Sequence, residues 1–312
     1  MNFINNFAGD FMQLDNLSNR LNEYKIEYIF DEPMSRHTTF KIGGNADIFV
    51  KVKTEDELKT VLSLTKEFNL PLLLLGKGSN LLVSDKGIAG VVISLDGLDS
   101  VTVDGDTVTC GAGASLRAVC LAAQKSSLSG LEFAYGIPGT VGGALYMNAG
   151  AYGGEMSQVV VSATVLDRDG NIKLFNSEQM KLGYRVSAFK NTDLIITSVT
   201  LKLKHGNADE IKAAMDDFFS RRRNKQPLEF PSAGSTFKRP EGYFAGALIE
   251  KNNLKGASVG GAQVSQKHAG FVINTGNATC EDVLSLIKKV KDTVKQADGV
   301  DLEPEVIFVG RK

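Results

Sequence analysis

Eight of the 26 residues in "GLEFAYGIPGTVGGALYMNAGAYGGE", Gly130 to Glu155, are glycine, with Tyr, Met, Ile and Leu spread among them. A flexible linker is polar and aperiodic. This stretch reads instead as ordered backbone packed close to another surface, where a Cβ would intrude. A second glycine element, "LLLLGKGSNLLVSD" (residues 72–85), runs from an apolar strand through Gly76, Gly78, Ser79 and Asn80 into another apolar stretch. It has no GK[ST] opening a helix and no Gly-x-Gly-x-x-Gly opening one, so it is neither a Walker loop nor a dinucleotide fingerprint. What remains is a run of backbone N–H groups with little side-chain bulk, a nest suited to an anion. Two such edges facing each other would hold a long, flat, phosphate-bearing ligand. Taken alone, the same glycines equally fit ordinary turns.

The rest of the chain reads as α+β in three modules, residues 1–87, 88–206 and 207–312. Leu17, Leu21 and Tyr24 predict a helix over 16–31, ending near Asp31-Glu32. "HTTFKIGGNADIFVKVKT" predicts two strands broken at Gly43-Gly44, and Thr54-x-x-Glu57 opens a helix with Leu58, Val61, Leu62 and Phe68 on one face. "LPLLLLG" is a short buried strand. From residue 88, short strands alternate with Asp-Gly and Gly-Asp turns of the hairpin kind. A helix follows from Ser115 to about Ser127, burying Leu116, Val119, Cys120 and Ala123; strands resume in "VVVSATVLDRDGNIKLF" and "LIITSVTLKLK". In the third module, Asn207-x-x-Glu210 caps a helix carrying Ile211, Ala214, Met215 and Phe218 into the run Arg221–Arg223. Thr279 caps another, with Val283, Leu284, Ile287 and Val290, which Gly299 stops before a last strand in "VDLEPEVIFVG".

A net charge of -1 over 312 residues leaves no basic excess for general nucleic-acid binding. The arginine run with Lys225 suits a helix C-terminus and equally the steering of a diphosphate. Cys110, Cys120 and Cys280 are odd in number and widely spaced, which points to buried reduced thiols rather than a disulfide framework or a metal site. "MNFINNFAGDFMQLDN" lacks a basic n-region and a small-residue cleavage site, and no apolar run reaches about 18 residues. These features predict a cytoplasmic protein without membrane insertion, and the even charge favours a monomer.

"LLLGKGSNLLVSD", "GIPGTVGGALYMNAGAYGGE", "YRVSAFK" (184–190), "AGSTFKRP" (233–240), "SQKHAGFVIN" (265–274) and "LEPEVIFVG" occur in this order between about Thr38 and Gly310. Together they resemble the UDP-N-acetylenolpyruvoylglucosamine reductases, flavoenzymes of peptidoglycan precursor synthesis. The resemblance implies a vanillyl-alcohol-oxidase-type (PCMH) FAD-binding fold in two subdomains and a C-terminal α+β domain for the UDP-sugar. It also implies reduction of the enolpyruvyl group of UDP-N-acetylglucosamine enolpyruvate to the lactyl ether of UDP-N-acetylmuramate, with NADPH as reductant. By motif position, FAD would be held by Gly76, Lys77, Gly78, Ser79, Asn80 and Leu81, and by Gly136, Pro138, Gly139, Thr140, Gly142, Gly143 and Ala144.

The implied chemistry builds negative charge on a carboxylate and then protonates the adjacent carbon, which requires fixed donors and a proton source. Ser235 matches the family's proton donor, Arg185 the arginine that stabilises the intermediate, and Glu305 the glutamate at the reacting centre. Without the resemblance, Ser235 reads as a turn serine and Arg185 as a surface arginine after a strand. Tyr184, Lys238, Arg239 and Gln266 are candidate substrate contacts; His268 reads as a packed or hydrogen-bonded histidine. Two positions depart from the pattern. Arg239 stands where many members carry asparagine, and Ile307 where many carry arginine, which puts one contact near Glu305 in doubt. The short third module resembles the smaller of the family's two forms, which lacks an extra loop over the substrate. None of Gly76 to Asn80 is a His, Cys or Tyr that could bond covalently to a flavin, so FAD is expected to be non-covalent. An FAD-dependent oxidase on the same scaffold and a non-catalytic nucleotide-sugar binding protein are the alternatives; neither accounts for "GSTFK", "LEPEV" and Arg185 together.

Overall fold

The computed structural model describes residues 7–312. Residues 1–6, where the leader-free reading begins, lie outside the described residues. Helix α1 (Phe7–Glu23) is followed by β1 (Glu27–Pro33). The helix predicted over 16–31 therefore starts earlier and stops sooner. Lys25 turns to φ 56°, a left-handed geometry that ends a helix, and residues 27–33 extend. Only the second half of the next expected strand pair forms, as β2 (Asn45–Lys51). Its first half stays irregular because Gly43 and Gly44 are pressed against neighbouring chain: a Cβ on Gly44 would lie 2.2 Å from the Asp85 carbonyl oxygen.

Helix α2 (Glu55–Glu67) begins where Thr54 accepts from the Glu57 N–H at 3.1 Å. The returning Glu57 carboxylate takes the Lys53 N–H rather than that of Thr54. Then come β3 (Leu72–Leu75), β4 (Leu81–Val83), β5 (Ile88–Ser94), β6 (Val101–Asp104) and β7 (Thr107–Gly111). Gly105-Asp106 makes a two-residue hairpin between β6 and β7, with Gly105 at φ 56°. Asp96-Gly97 makes no hairpin; it leads from β5 toward β6, which belongs to a different sheet. Helix α3 (Leu116–Lys125) is capped by Ser115 and buries the four residues its spacing selected. There follow β8 (Leu128–Ser129), α4 (Val141–Tyr146), the hairpin β9 (Gly150–Ala151) and β10 (Gly154–Glu155), β11 (Val160–Leu166), β12 (Ile172–Asn176), β13 (Ile195–Lys202) and β14 (Lys204–His205).

Helix α5 (Ala208–Lys225) starts at Asn207, whose side chain accepts from Asp209 and Glu210 N–H. The chain closes with α6 (Ala245–Lys251), β15 (Ser258–Val259), β16 (Ala262–Val264), β17 (Val272–Asn274), α7 (Cys280–Asp298) and β18 (Ile307–Val309). The last strand is only three residues long, shorter than "VDLEPEVIFVG" suggests. Pro304 lacks the N–H a ladder needs.

The chain forms two compact units. One contains the chain up to Phe30, Ile48–Lys77 and Gly90–Arg221; the other contains Asp31–Asp47, Gly78–Ala89 and Arg222–Lys312. The antiparallel five-stranded sheet β12-β11-β13-β7-β6 lies in the first unit. The sheet β1-β2-β5-β3 has β3 and β5 parallel, with Leu72 opposite Val91. Leu58, Val61, Val91, Ile93, Val119, Val165 and Val199 are among the fully buried side chains of the first unit's core, each stabilising by about 1.5–3 kcal/mol. The second unit has its own core, where α7 packs Val283, Leu286 and Val290 with Val264 and Val272 of the sheet β15-β16-β17. Asp85 reaches the start of α7, its carboxylate accepting from the Cys280 and Glu281 N–H groups at 2.8 and 3.1 Å. All three cysteines are buried, and burial pushes the Cys110 and Cys280 thiols up to about 12.

Candidate active site

The two glycine elements meet in the first unit. Gly76 follows β3, and a Cβ built on it would lie 2.7 Å from the Thr140 hydroxyl oxygen, too close for any side chain. Thr140 is 2% exposed and caps α4, accepting from the Gly143 N–H at 3.2 Å. Its segment is sewn to the start of α3: Leu116 N–H donates to the Gly139 carbonyl, Val141 N–H to Ala114, and Gly142 N–H to Ala112. A Cβ on Gly142 would lie 2.7 Å from that of Ala112. Gly142 thus answers to the close approach of Ala112, and Gly76 to the Thr140 side chain. Lys77 directs its ammonium to Asp96 at 3.1 Å.

The remaining turn residues belong to the second unit and tie different partners. Gly78 sits at φ 57°, and a Cβ there would be 2.2 Å from the His37 carbonyl oxygen. Its own carbonyl accepts from Thr39 N–H. The Asn80 amide donates to the Glu305 carbonyl at 3.2 Å, and the Asn80 carbonyl accepts from Ile307 N–H at 2.9 Å. Leu81 then opens the parallel pairing of β4 with β18, opposite Ile307. Asn80 and Leu81 therefore hold the backbone on which Glu305 stands.

The same unit brings "GSTFK" against "LEPEV". Glu305 N–H donates to the Thr236 carbonyl and Lys238 N–H to the Glu303 carbonyl, both at 2.8 Å, while Phe237 bridges to Pro304. On its other side Thr236 donates its N–H to the Gly270 carbonyl, and its hydroxyl accepts from Val272 N–H. Ser235, next to Thr236, and Glu305 are both half-buried on adjoining segments. Lys238 pairs with Glu303. The exposed Arg239 lies over the Phe244 ring, 4.0 Å from its centroid. Gln266 is exposed, with its amide against Gly256. His268 accepts from Gly270 N–H through Nδ1 and stands edge-on to Phe271. Burial lowers its pKa, so the ring favours the neutral form.

Arg185, in the first unit, occupies the tip of a tight turn. Gly183 and Val186 exchange both backbone hydrogen bonds at 3.0 Å, leaving Tyr184 and Arg185 as the two central residues. Arg185 has φ 57°, which a type II turn demands at its second central position and usually fills with glycine. Its guanidinium lies over the exposed Tyr184 ring at 5.1 Å. Arginine thus takes a left-handed conformation that glycine adopts more readily, as Lys41, Lys181 and Asn191 also do. Neither central position holds the glycine or asparagine that signals such a turn in a sequence. Among the described residues, no group of three or more His, Cys, Asp or Glu is placed to hold a metal ion. No described helix is long and apolar enough to cross a membrane.

Residues 226–309 match the model of the UDP-N-acetylenolpyruvoylglucosamine reductase C-terminal domain, and residues 46–176 match an FAD binding domain. A UDP-N-acetylenolpyruvoylglucosamine reductase from Clostridium botulinum is 52% identical over 91% of this chain and 93% of its own. One from Caldanaerobacter subterraneus is 49% identical over 96% and 98%. The crystal structure of UDP-N-acetylenolpyruvylglucosamine reductase from Thermus caldophilus superposes with a TM-score of 0.77 at 35% identity, covering 91% of this chain and 98% of that one.

Proposed function

Because the chain belongs to the UDP-N-acetylenolpyruvoylglucosamine reductase family, we propose the following roles for its own residues in that reaction. The protein is a flavoenzyme that uses FAD and NADPH to reduce the enolpyruvyl group of UDP-N-acetylglucosamine enolpyruvate to the lactyl ether of UDP-N-acetylmuramate. We assign FAD binding to residues 1–87 and 88–206, and the UDP-sugar to residues 207–312. Gly76 and Thr140 are close enough that no side chain fits between them. That contact sets the two glycine segments side by side, and we assign the FAD pyrophosphate to Gly76–Leu81 and to the segment Gly136–Ala144. FAD, when bound, supplies the hydride chemistry, relaying a hydride from NADPH to the β-carbon of the enolpyruvyl group.

Hydride arrival at the β-carbon puts negative charge on the α-carbon and its carboxylate. Arg185 meets that charge with two parallel N–H donors, a geometry lysine cannot reproduce. The Ser235 hydroxyl gives its proton to the α-carbon, which completes the lactyl group, and the serine regains a proton from solvent. Glu305 acts beside Ser235, with Asn80 and the Thr236 carbonyl holding its backbone in place. Tyr184, Lys238, Arg239 and Gln266 are the substrate contacts of this reading, and the protein acts as a cytoplasmic monomer. The observation that carries it is the backbone pairing of the Ser235 segment with the Glu305 segment, two motifs about 70 residues apart joined through Glu305 N–H and Thr236.

The purified protein is expected to show two flavin absorption bands that pass into the supernatant on acid precipitation, and to consume NADPH only when the enolpyruvyl sugar nucleotide is present. A colourless protein that also refuses added FAD would sink the reading. Bands that stay with the precipitate would overturn non-covalent attachment. Gly76→Val places methyl groups where the Thr140 hydroxyl stands. FAD affinity should fall by more than about tenfold, roughly 1.4 kcal/mol, as a lower flavin-to-protein ratio after gel filtration will show.

A further inference from the structure

The turn that carries Arg185 does not stand alone. Asn148, two residues beyond α4, is 1% exposed and has φ 42°. Its Nδ2 donates to the Gly183 carbonyl at 3.0 Å, and its Oδ1 accepts from Ser157 N–H at 2.9 Å. One partner is a carbonyl and the other an N–H, so the amide's orientation is unambiguous. Ser187, also buried, donates its hydroxyl to the Tyr146 carbonyl at 2.7 Å. The Lys190 ammonium donates to the Arg185 carbonyl itself at 2.8 Å and lies 5.7 Å from the Tyr146 ring centroid. Gly183 and Ser187, on either side of Arg185, are thus fastened by side chains to residues 146–148, the continuation of the Thr140–Gly143 segment.

We propose that Asn148, with Ser187, is a positioning residue for Arg185: it holds the turn in its left-handed geometry and couples the guanidinium to the flavin-binding segment. This rests on the assignment of Arg185 given above. A non-glycine residue at positive φ is disfavoured and persists only where its surroundings over-determine it. Here they consist of the paired Gly183 and Val186, the Asn148 amide and the Lys190 ammonium. Gly183 O is the acceptor through which the buried amide fixes the turn's near end. Without that bond the turn can relax to the negative φ that arginine prefers, swinging a long side chain away from its target. A displacement of about 1 Å at a positioned group can cost on the order of 100-fold in rate.

Asn148→Ala tests this in the FAD-loaded protein. Flavin reoxidation by the enolpyruvyl substrate under anaerobic conditions should slow by about tenfold or more. Flavin content and the rate of reduction by NADPH should stay at wild-type level, because neither involves the substrate carboxylate. Arg185→Ala combined with Asn148→Ala should react no more slowly than Arg185→Ala alone, since the asparagine acts only through the arginine. Amide hydrogen exchange at Val186 should accelerate in Asn148→Ala without FAD or substrate present. Should that variant fail to fold, Ser187→Ala carries the same cycle with a smaller loss. Equal slowing of both half-reactions, or losses that multiply in the double variant, would overturn the proposal and leave a merely structural asparagine. An Arg185→Ala protein as fast as wild type would instead remove the role assigned to Arg185, and this inference with it.

Discussion

Replacing Ser235 with alanine is expected to yield a protein that binds FAD and is reduced by NADPH normally, yet reduces its substrate about 100- to 10,000-fold more slowly, the range for loss of a positioned proton donor. The fold should survive. The hydrogen bonds that fasten this segment are made by the backbone of Thr236 and Lys238 and by the Thr236 hydroxyl. What disappears is the O–H proposed to protonate the α-carbon. Stopped-flow absorbance separates the two steps, because NADPH bleaches the flavin and the substrate restores it. Ser235→Cys supplies a more acidic proton on a similar stem and should recover part of the second rate. An alanine variant that reoxidises at wild-type speed would move the proton donor elsewhere, with Glu305 the next group to test.

Arg185→Lys should slow the same step by about 100- to 1,000-fold, the effect of removing one donor aimed at developing negative charge. The substitution keeps a positive charge and a long stem, and lysine meets the same backbone at φ 57° as arginine does. What it loses is the rigid fork, since an ammonium contacts a carboxylate as a point. Because the proposed role has Arg185 hold the carboxylate in the ground state too, KM for the sugar nucleotide should rise while reduction by NADPH is unchanged. A lysine variant with full kcat would mean that charge alone suffices and that the turn's geometry is incidental.

The glycine elements were informative from the sequence because a missing Cβ has few explanations inside an apolar stretch, and Gly76 against Thr140 is such a case. Cap signals at Thr54, Asn207 and Thr279 each mark a true helix start, since the bond they make is local. Failures came where distant chain decides. The helix read over 16–31 overran into β1 because Leu17, Leu21 and Tyr24 keep helical spacing; Tyr24 is in fact 53% exposed. The strand read in "HTTFKIGG" is lost to the close approach of Gly44 and Asp85, a contact between residues 41 apart. Asn80, read for its place in a glycine turn, spends its side chain on the Glu305 carbonyl. Asn148 carries no local signal, one amide among so many glycines. Only the folded chain shows it bonded to Gly183.

The most direct test of the account is one anaerobic turnover. The protein is reduced with one equivalent of NADPH and then mixed with UDP-N-acetylglucosamine enolpyruvate. The account predicts that the flavin bands return without oxygen and that one equivalent of UDP-N-acetylmuramate appears, heavier than the substrate by two hydrogens. A flavin that stays reduced with the sugar nucleotide and recovers only when oxygen is admitted would contradict it, and would make this chain an oxidase on the same scaffold.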